Sequence, residues 1–270
     1  MPLSVCATPI GNLDDVTLRL LETLRRADVV LCEDTRRTRL LLARHGVTAR
    51  LLSYREHNEA RRTEEVLPRL LRGEEVALVS DAGLPGISDP GARLVSAARD
   101  AGVAVTVLPG PSAVETALVA SGFVVERYQF LGFLPRAERA LAALWDELAS
   151  WPHAAVAFES PARLAHSLAS LAAVQPERPA AVCRELTKAF EEVVRAPARE
   201  LAERFRERTR GEVTLVLGPA PVGLDAVPQA ALDAVGELVE AGLSRGRAVS
   251  LVAAASGIGR NRLYRASLAR

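Results

Sequence analysis

The sequence predicts an α/β protein: two α/β domains followed by a small helical C-terminal domain. Three observations predict it. The first half alternates short, continuous apolar runs with segments of helical period, the pattern of strands buried on both faces of a mostly parallel sheet. The alternation restarts around Phe133-Leu134-Pro135 with fewer residues, which predicts a second, mixed sheet. Beyond the turn-rich stretch Gly218-Pro219-Ala220-Pro221-Val222-Gly223, only helical patterns remain. The expected domains are therefore residues 1–131, 132–222 and 223–270.

Element by element, Leu3 to Thr8 reads as a buried strand. Thr17 to Arg26 reads as a helix with Leu18, Leu21 and Leu24 at helical spacing. Asp28 to Cys32 is a second strand, and Asp34 to His45 a helix with Leu40, Leu41 and Leu42 on its inner side. Leu51 to Ser53 is a short strand and Glu59 to Arg72 a helix. Val76 to Ser80 is a strand. Pro90 to Asp100 is a helix, with Asp89 as N-cap and Pro90 at its first position. Val103 to Leu108 is a strand and Ser112 to Ala120 a helix. In the second half, Ala137 to Ser150, Pro161 to Val174 and Pro197 to Arg208 read as helices. Ala155 to Phe158, Ala180 to Arg184, Glu192 to Arg195 and Glu212 to Leu217 read as strands. Residues 229–270 read as all-helical.

Composition agrees with a globular chain: 270 residues, 49% hydrophobic and 25% charged. A net charge of +1 gives by itself no sign of a nucleic-acid partner. That charge is unevenly spread. Residues 242–270 hold six arginines and no acid, a charge of +6, which leaves −5 on residues 1–241. Only one of the 34 basic residues is a lysine, Lys188. The three cysteines, Cys6, Cys32 and Cys183, are far apart, which disfavours a disulfide frame or a zinc knuckle. No apolar run approaches the ~18 residues of a membrane span. The first residues lack the basic and apolar segments of a signal peptide. The expectation is a soluble, cytoplasmic protein with no membrane partner.

In open parallel sheets, ligands bind where strands end and the chain turns into helices. The segments at those places are dense in Gly, Pro, Asp and Ser. They are Ala7-Thr8-Pro9-Ile10-Gly11-Asn12, the run from Glu33 to Arg39, the run from Ser80 to Gly91, and Pro109-Gly110-Pro111-Ser112-Ala113. Glycine permits close backbone approach and proline stiffens the path. Neither the dinucleotide fingerprint GxGxxG nor the phosphate loop GxxxxGK[ST] is present, which disfavours a nicotinamide cofactor or a nucleoside triphosphate. Asp81 and Asp89 are a conceivable magnesium pair, but Asp89 is better explained as a cap, so no metal is expected.

Eight motifs in order carry a resemblance. They are ATPIGN (7–12), EDTRRT (33–38), HNE (57–59), SDAGLPGISDPG (80–91), LPGPSA (108–113), GFLPR (132–136), FESPARL (158–164) and RELTK (184–188). Together they resemble the ribosomal RNA small subunit methyltransferase I family, the 2′-O-ribose cytidine methyltransferase branch of the tetrapyrrole methylase superfamily. The resemblance runs from about Leu3 to Leu217. It implies two α/β domains with S-adenosylmethionine in a cleft between them, a homodimer, and a cytidine in the decoding region of 16S rRNA as substrate, within the small ribosomal subunit. Carried over residue by residue, the cofactor would touch Pro9, Ile10 and Gly11, then Asp81, Gly83 and Leu84, then Ser112 and Ala113, and finally Phe158, Leu186 and Thr214 near the second-domain strand ends. The chain departs from the family's usual residues at Leu84, Phe158 and Ala162. The stretch after GFLPR is also shorter and less basic than usual.

Methyl transfer to a hydroxyl needs alignment and a group to help remove the proton. Candidate bases or orienting groups are Glu159, Glu185, Asp34 and Glu33. Lys188 joins them because a desolvated lysine can lose its proton, whereas an arginine effectively cannot. Arg36 and Arg37 are candidates for RNA phosphate contact. In the tail, an Ala-rich helix, a Ser-Gly-Ile turn and a second helix with Arg260 and Arg262 resemble a helix-turn-helix able to grip RNA. The alternative for that tail is a basic hairpin used in packing or dimerisation. Two other functions stay open: a tetrapyrrole (corrin or porphyrin precursor) methylase on the same scaffold, and a DNA-binding regulator whose body senses a ligand.

Overall fold

A computed structural model describes residues 2–149, 151–220, 229–256, 258 and 260–268, except for the side chains of Asn261, Arg262 and Arg265. The chain divides into two compact units, Met1–Ala220 and Pro221–Arg270.

The first unit holds two five-stranded sheets. In the first, β1 (Leu3–Cys6), β2 (Val29–Cys32), β3 (Leu51–Ser53), β4 (Val76–Val79) and β5 (Val105–Leu108) run in the order β3-β2-β4-β1-β5. Every pairing is parallel. Strands β2 and β4 are unbroken runs of Val, Leu, Cys and Ala, and every residue of β1, β2 and β4 is buried, as suits strands covered on both faces. Helices α1 (Leu18–Arg26) and α2 (Thr35–Arg44) cover one face through Leu20, Leu21, Leu24 and Leu42. Helices α3 (Glu59–Leu71) and α4 (Ala92–Asp100) cover the other through Val66, Leu70, Leu94 and Ala98.

The second sheet is mixed, as expected. Its strands are β6 (Tyr128–Phe133), β7 (Ala154–Glu159), β8 (Pro179–Arg184), β9 (Glu192–Pro197) and β10 (Val213–Leu217), in the order β6-β7-β10-β8-β9. Only β6 and β7 pair in parallel. Helices α6 (Glu138–Ala149), α7 (Leu164–Val174) and α8 (Ala198–Arg204) pack on one face around Trp145, Leu168 and Leu201. The other face is covered from the first half of the chain. Ile10 and helix α5 (Ala113–Ala120) pack through Val114, Ala117 and Leu118 against Val156, Ala181, Cys183 and Val216. This shared apolar cluster seats the two sheets together and fixes the space between their loops.

Several expectations are corrected. The helix expected from Pro90 starts at Ala92, and its N-cap position is Gly91 at φ 141° with no side-chain cap. Gly86 and Ser88 also take positive φ, so residues 86–91 coil instead of starting a helix. The Glu59 carboxylate then accepts the Gly91 N–H at 2.9 Å. Leu18 and Leu40 lie on the solvent side of their helices, and Leu20 takes the inner place expected of Leu18. The strand β5 begins two residues later than expected, and α8 ends at Arg204. Strand β6 was not expected at all. Its Gly132 interrupts the apolar run and takes φ 66°, a local irregularity that masks the strand pattern.

In the second unit, α9 (Gln229–Glu240), α10 (Arg245–Ser256) and α11 (Arg260–Leu268) pack around Val235, Val249, Val252 and Leu263. Three helices with short connections agree with the all-helical expectation for this segment.

Candidate active site

The loops after β1 and β4 are tied by a reciprocal bridge. Thr8 N–H donates to Gly83 O at 2.9 Å, and Gly83 N–H donates to Thr8 O at 3.1 Å. Gly83 holds φ 76°, a conformation that favours glycine. The bridge lies at the carboxyl ends of adjacent parallel strands, the usual ligand position in such sheets.

A cavity of about 660 Å³ opens there, within the size range of small-molecule sites. From the first half of the chain, Ile10, Asp81, Gly83, Leu84, Ser112 and Ala113 line it. From the second half come Phe158, Leu186 and Thr214. Nine of the eleven residues expected at the cofactor are thus brought together. The other two, Pro9 and Gly11, line an adjoining cavity of about 230 Å³ together with Arg37, Lys188 and Glu212. Ile10, Arg37, Asp81 and Glu212 border both spaces.

The acidic end of the larger cavity is a set of cross-linked loops. The Asp34 backbone N–H donates to Asp81 Oδ1 at 3.0 Å, and the Asp81 N–H donates to Glu33 Oε1 at 3.2 Å. Asp81 Oδ2 faces the Arg37 guanidinium at 3.7 Å. Burial, and then the Asp81 charge, push the Glu33 carboxyl above its usual range, against an opposing hydrogen bond from the Asp81 backbone. Asp89 lines the same wall. Burial first and the Glu33 charge second push its carboxyl up to about 7, against a hydrogen bond with Ser80. Since the N-cap of α4 is Gly91, Asp89 is not the helix cap that the following proline suggests. Its position at the far end of a long Gly-rich loop, eight residues after Asp81, was the signal for the site.

The other candidate bases do not stand free. Asp34 is the N-cap of α2. It accepts the Arg36 backbone N–H at 2.8 Å and both arms of the Arg36 guanidinium at 3.0 and 2.6 Å. These bonds hold its carboxyl far below the usual range. Asp34 is a helix cap, and Arg36 is its partner more than an open phosphate fork. Glu159 borders the cavity but is buried. It accepts from Ser160 N–H at 2.7 Å and Ser167 O–H at 2.5 Å, and it faces Arg163 at 3.4 Å. Arg163 in turn donates to Leu134 O and Pro135 O. Glu159 therefore anchors the strand-to-helix turn and the GFLPR loop.

Lys188 also differs from the expectation of a neutral amine. Burial alone would lower its pKa, but Glu185 at 2.8 Å and Glu212 at 3.1 Å outweigh burial, and the net direction is up. Lys188 is a fixed cation. Glu185 accepts from Lys188 and from the Glu212 N–H at 2.8 Å, which lowers its own pKa. Glu185 and Thr187 both take positive φ, 52° and 66°, rare for residues with side chains. This tight turn reaches the first sheet's loop, where Asn12 N–H donates to Thr187 Oγ1 at 2.9 Å.

Ser112 is the N-cap residue of α5 but makes no side-chain cap bond. Its hydroxyl donates to Glu115 instead, and Tyr128 O–H donates to the other Glu115 oxygen at 2.7 Å. Ser112 thus caps none of the first N–H groups of α5, and the Glu115 carboxylate accepts the Glu115 N–H in that turn. Among the described residues, no group of three His, Cys, Asp or Glu is gathered to hold a metal ion. No helix among them is long and apolar enough to cross a membrane. In the second unit, Arg260 Nε donates to Ser250 Oγ at 2.9 Å. The Arg262 side chain lies outside the described residues.

Residues 2–202 match the family model described as Tetrapyrrole (Corrin/Porphyrin) Methylases. Among curated relatives, a ribosomal RNA small subunit methyltransferase I from Mesorhizobium japonicum is 46% identical over 83% of this chain and 77% of its own length. One from Escherichia coli O157:H7 is 39% identical over 98% of this chain and 94% of its own. Among solved structures, a diphthine synthase superposes with a TM-score of 0.62 at 15% identity, covering 80% of this chain and 89% of that one. A uroporphyrin-III C-methyltransferase from Thermus thermophilus complexed with S-adenosylhomocysteine gives a TM-score of 0.55 at 21% identity, covering 80% and 96%.

Proposed function

Because the chain belongs to the tetrapyrrole methylase family and, within it, to the ribosomal RNA small subunit methyltransferases I, we propose that it methylates the 2′-hydroxyl of a cytidine ribose in the decoding region of 16S rRNA, on the small ribosomal subunit. The observation that carries this reading is the match to such a methyltransferase over 98% of the chain, tail included. The tetrapyrrole methylases, which share the fold, match at lower identity.

The larger cavity fits S-adenosylmethionine. Apolar walls at Ile10, Leu84, Phe158 and Leu186 suit an adenine and a thioether chain. The Asp81 and Glu33 carboxylates suit an ammonium. When bound, the cofactor supplies a methyl group on a cationic sulfur, already electrophilic, so no covalent enzyme intermediate is needed.

The chain's own residues handle the proton and the alignment. Asp89 is the carboxyl whose ionisation falls in the working pH range, where a general base is most effective. Above about 7 it is ionised and accepts the hydroxyl proton. Arg37, 60% exposed and bordering both cavities, is placed to pair with an RNA phosphate. Lys188 holds the Glu185–Glu212 end of the smaller cavity and adds a fixed positive charge beside it. The helical tail, with +6 on residues 242–270, supplies a sequence-independent grip on the RNA backbone. The protein works as a homodimer in the cytoplasm.

Incubating the protein with labelled S-adenosylmethionine and small subunits from cells lacking the enzyme tests the reading. Label in 16S rRNA supports it. Label only in a tetrapyrrole offered in parallel overturns it.

A further inference from the structure

The rim of the larger cavity carries two large apolar side chains that packing leaves open. Phe133 is 62% exposed and Ile87 is 54% exposed, yet both line the cavity. Their segments come from different sheets and meet at the rim. A Cβ built on Gly132 would lie 3.9 Å from Ser88 Oγ.

The orientation of Phe133 is set by a defect in the strand. Phe130 pairs with Val156 and Phe133 with Phe158, so three steps on β6 match two on β7. Gly132, at φ 66°, sits within this bulge. In a regular strand Phe130 and Phe133 would point to opposite faces. The extra residue turns Phe133 onto the face of Phe130 and Phe158, and bulges beside active sites commonly re-aim a side chain in this way.

The ring is also held rigidly. Phe133 meets Phe158 edge-to-face at 5.6 Å, and Phe158 meets Phe130 at 5.0 Å. The next residue is pinned by Leu134 N–H donating to Phe158 O at 3.1 Å, and by Arg163 donating to Leu134 O at 3.1 Å. A fixed aromatic face left open to solvent at a cavity mouth adds little to the core. It does offer a flat apolar surface to a ring.

We infer that Phe133 is the stacking platform for a nucleobase of the acceptor RNA, with Ile87 as the apolar wall across the mouth. The inference rests on the reading that the chain methylates an RNA ribose. Enzymes that select one nucleotide of an RNA recognise unstacked bases, which they commonly hold by stacking on an aromatic side chain. Aromatic rings do this for any base, because every base has a π face.

Full-length Phe133→Ala, Phe133→Leu and Phe133→Trp variants test it. Readouts are methyl transfer to small subunits, cofactor affinity by calorimetry without RNA, and sedimentation. The expected result is a fall in kcat/KM of about tenfold or more for Ala and Leu, the scale of one lost base stack. Trp should restore activity to within about threefold of the parent, since its ring stacks as well. Cofactor affinity and sedimentation should not change. A fully active Leu variant would overturn stacking in favour of simple apolar packing. An equal loss of cofactor affinity would assign Phe133 to the cofactor wall, and altered sedimentation would assign it to an interface between copies; either overturns the inference. If the parent protein itself leaves RNA unmethylated, the functional reading fails and takes this inference with it. Parental activity with an unaffected Ala variant overturns the stacking role alone.

Discussion

Gly11 stands against Lys188 with no room for a side chain between them. A Cβ on Gly11 would lie 2.6 Å from Lys188 Cγ, 2.7 Å from Thr187 Oγ1 and 2.8 Å from the Leu186 carbonyl oxygen. Gly11 is not among the residues with positive φ, so glycine is required here for space and not for conformation. The contact joins the loop after β1 to the β8–β9 turn, two walls of the candidate site.

Gly11→Ala should therefore push the β8–β9 turn away from the first sheet's loop. The expected stability loss is modest, about 1–3 kcal/mol for an overpacked contact. Cofactor affinity should fall by about tenfold, because a displacement of roughly 1 Å in positioning groups is costly. Calorimetry with S-adenosylmethionine and urea unfolding of the same preparation check both parts.

Asp89 gives a pH signature with a definite sign. Its carboxyl is raised from 3.8 to about 7 in the folded protein. Between those values the folded state keeps a proton that the unfolded chain has lost. Stability from this group is thus fully present below pH 3.8 and is lost as the pH rises through about 7. Turnover should rise through the same range as the base ionises. Asp89→Asn should lose about 100-fold or more in turnover, the scale of a missing general base. It should also lack that segment of the stability–pH slope. Rate profiles and denaturant unfolding at several pH values read both effects.

Lys188 should behave as a charge and not as a base. Lys188→Met leaves Glu185 and Glu212 facing one another without the cation that links them. Turnover should fall by about tenfold, and Lys188→Arg, which keeps the charge with a different shape, should lose less. The rate profile of Lys188→Arg should keep the ionisation near 7. Its disappearance would return the base to Lys188.

The tail should act through charge. Removing residues 225–270 should raise the KM for small subunits and flatten its dependence on salt, since fewer phosphate counterions are displaced. Cofactor affinity should stay unchanged. Kinetics between low and moderate salt measure the slope.

Much of the fold was legible because its cause is local. The β1, β2 and β4 runs and the helices that follow β1 and β2 are read directly from residue type. Six cofactor candidates from the loops after β1, β4 and β5 also line one cavity, because parallel topology gathers those loops at one edge, and Phe158, Leu186 and Thr214 reach it from the second sheet. What the sequence hid depends on partners distant along the chain. Asp89 is perturbed by burial and by Glu33, and neither is visible in Asp89-Pro90. The charge state of Lys188 depends on Glu212, which lies just before β10 and is distant from it along the chain. The bulge at Gly132 exists only against β7, so neither β6 nor the aim of Phe133 could be read from Tyr128–Phe133 alone.

Digestion of the methylated 16S rRNA to nucleosides, with mass spectrometry to place the label, tests the proposed chemistry most directly. The reading predicts a single 2′-O-methylcytidine from the decoding region, present with the parent protein and nearly absent with Asp89→Asn. Label on a base ring, on a nucleotide other than cytidine, or outside the decoding region would contradict it.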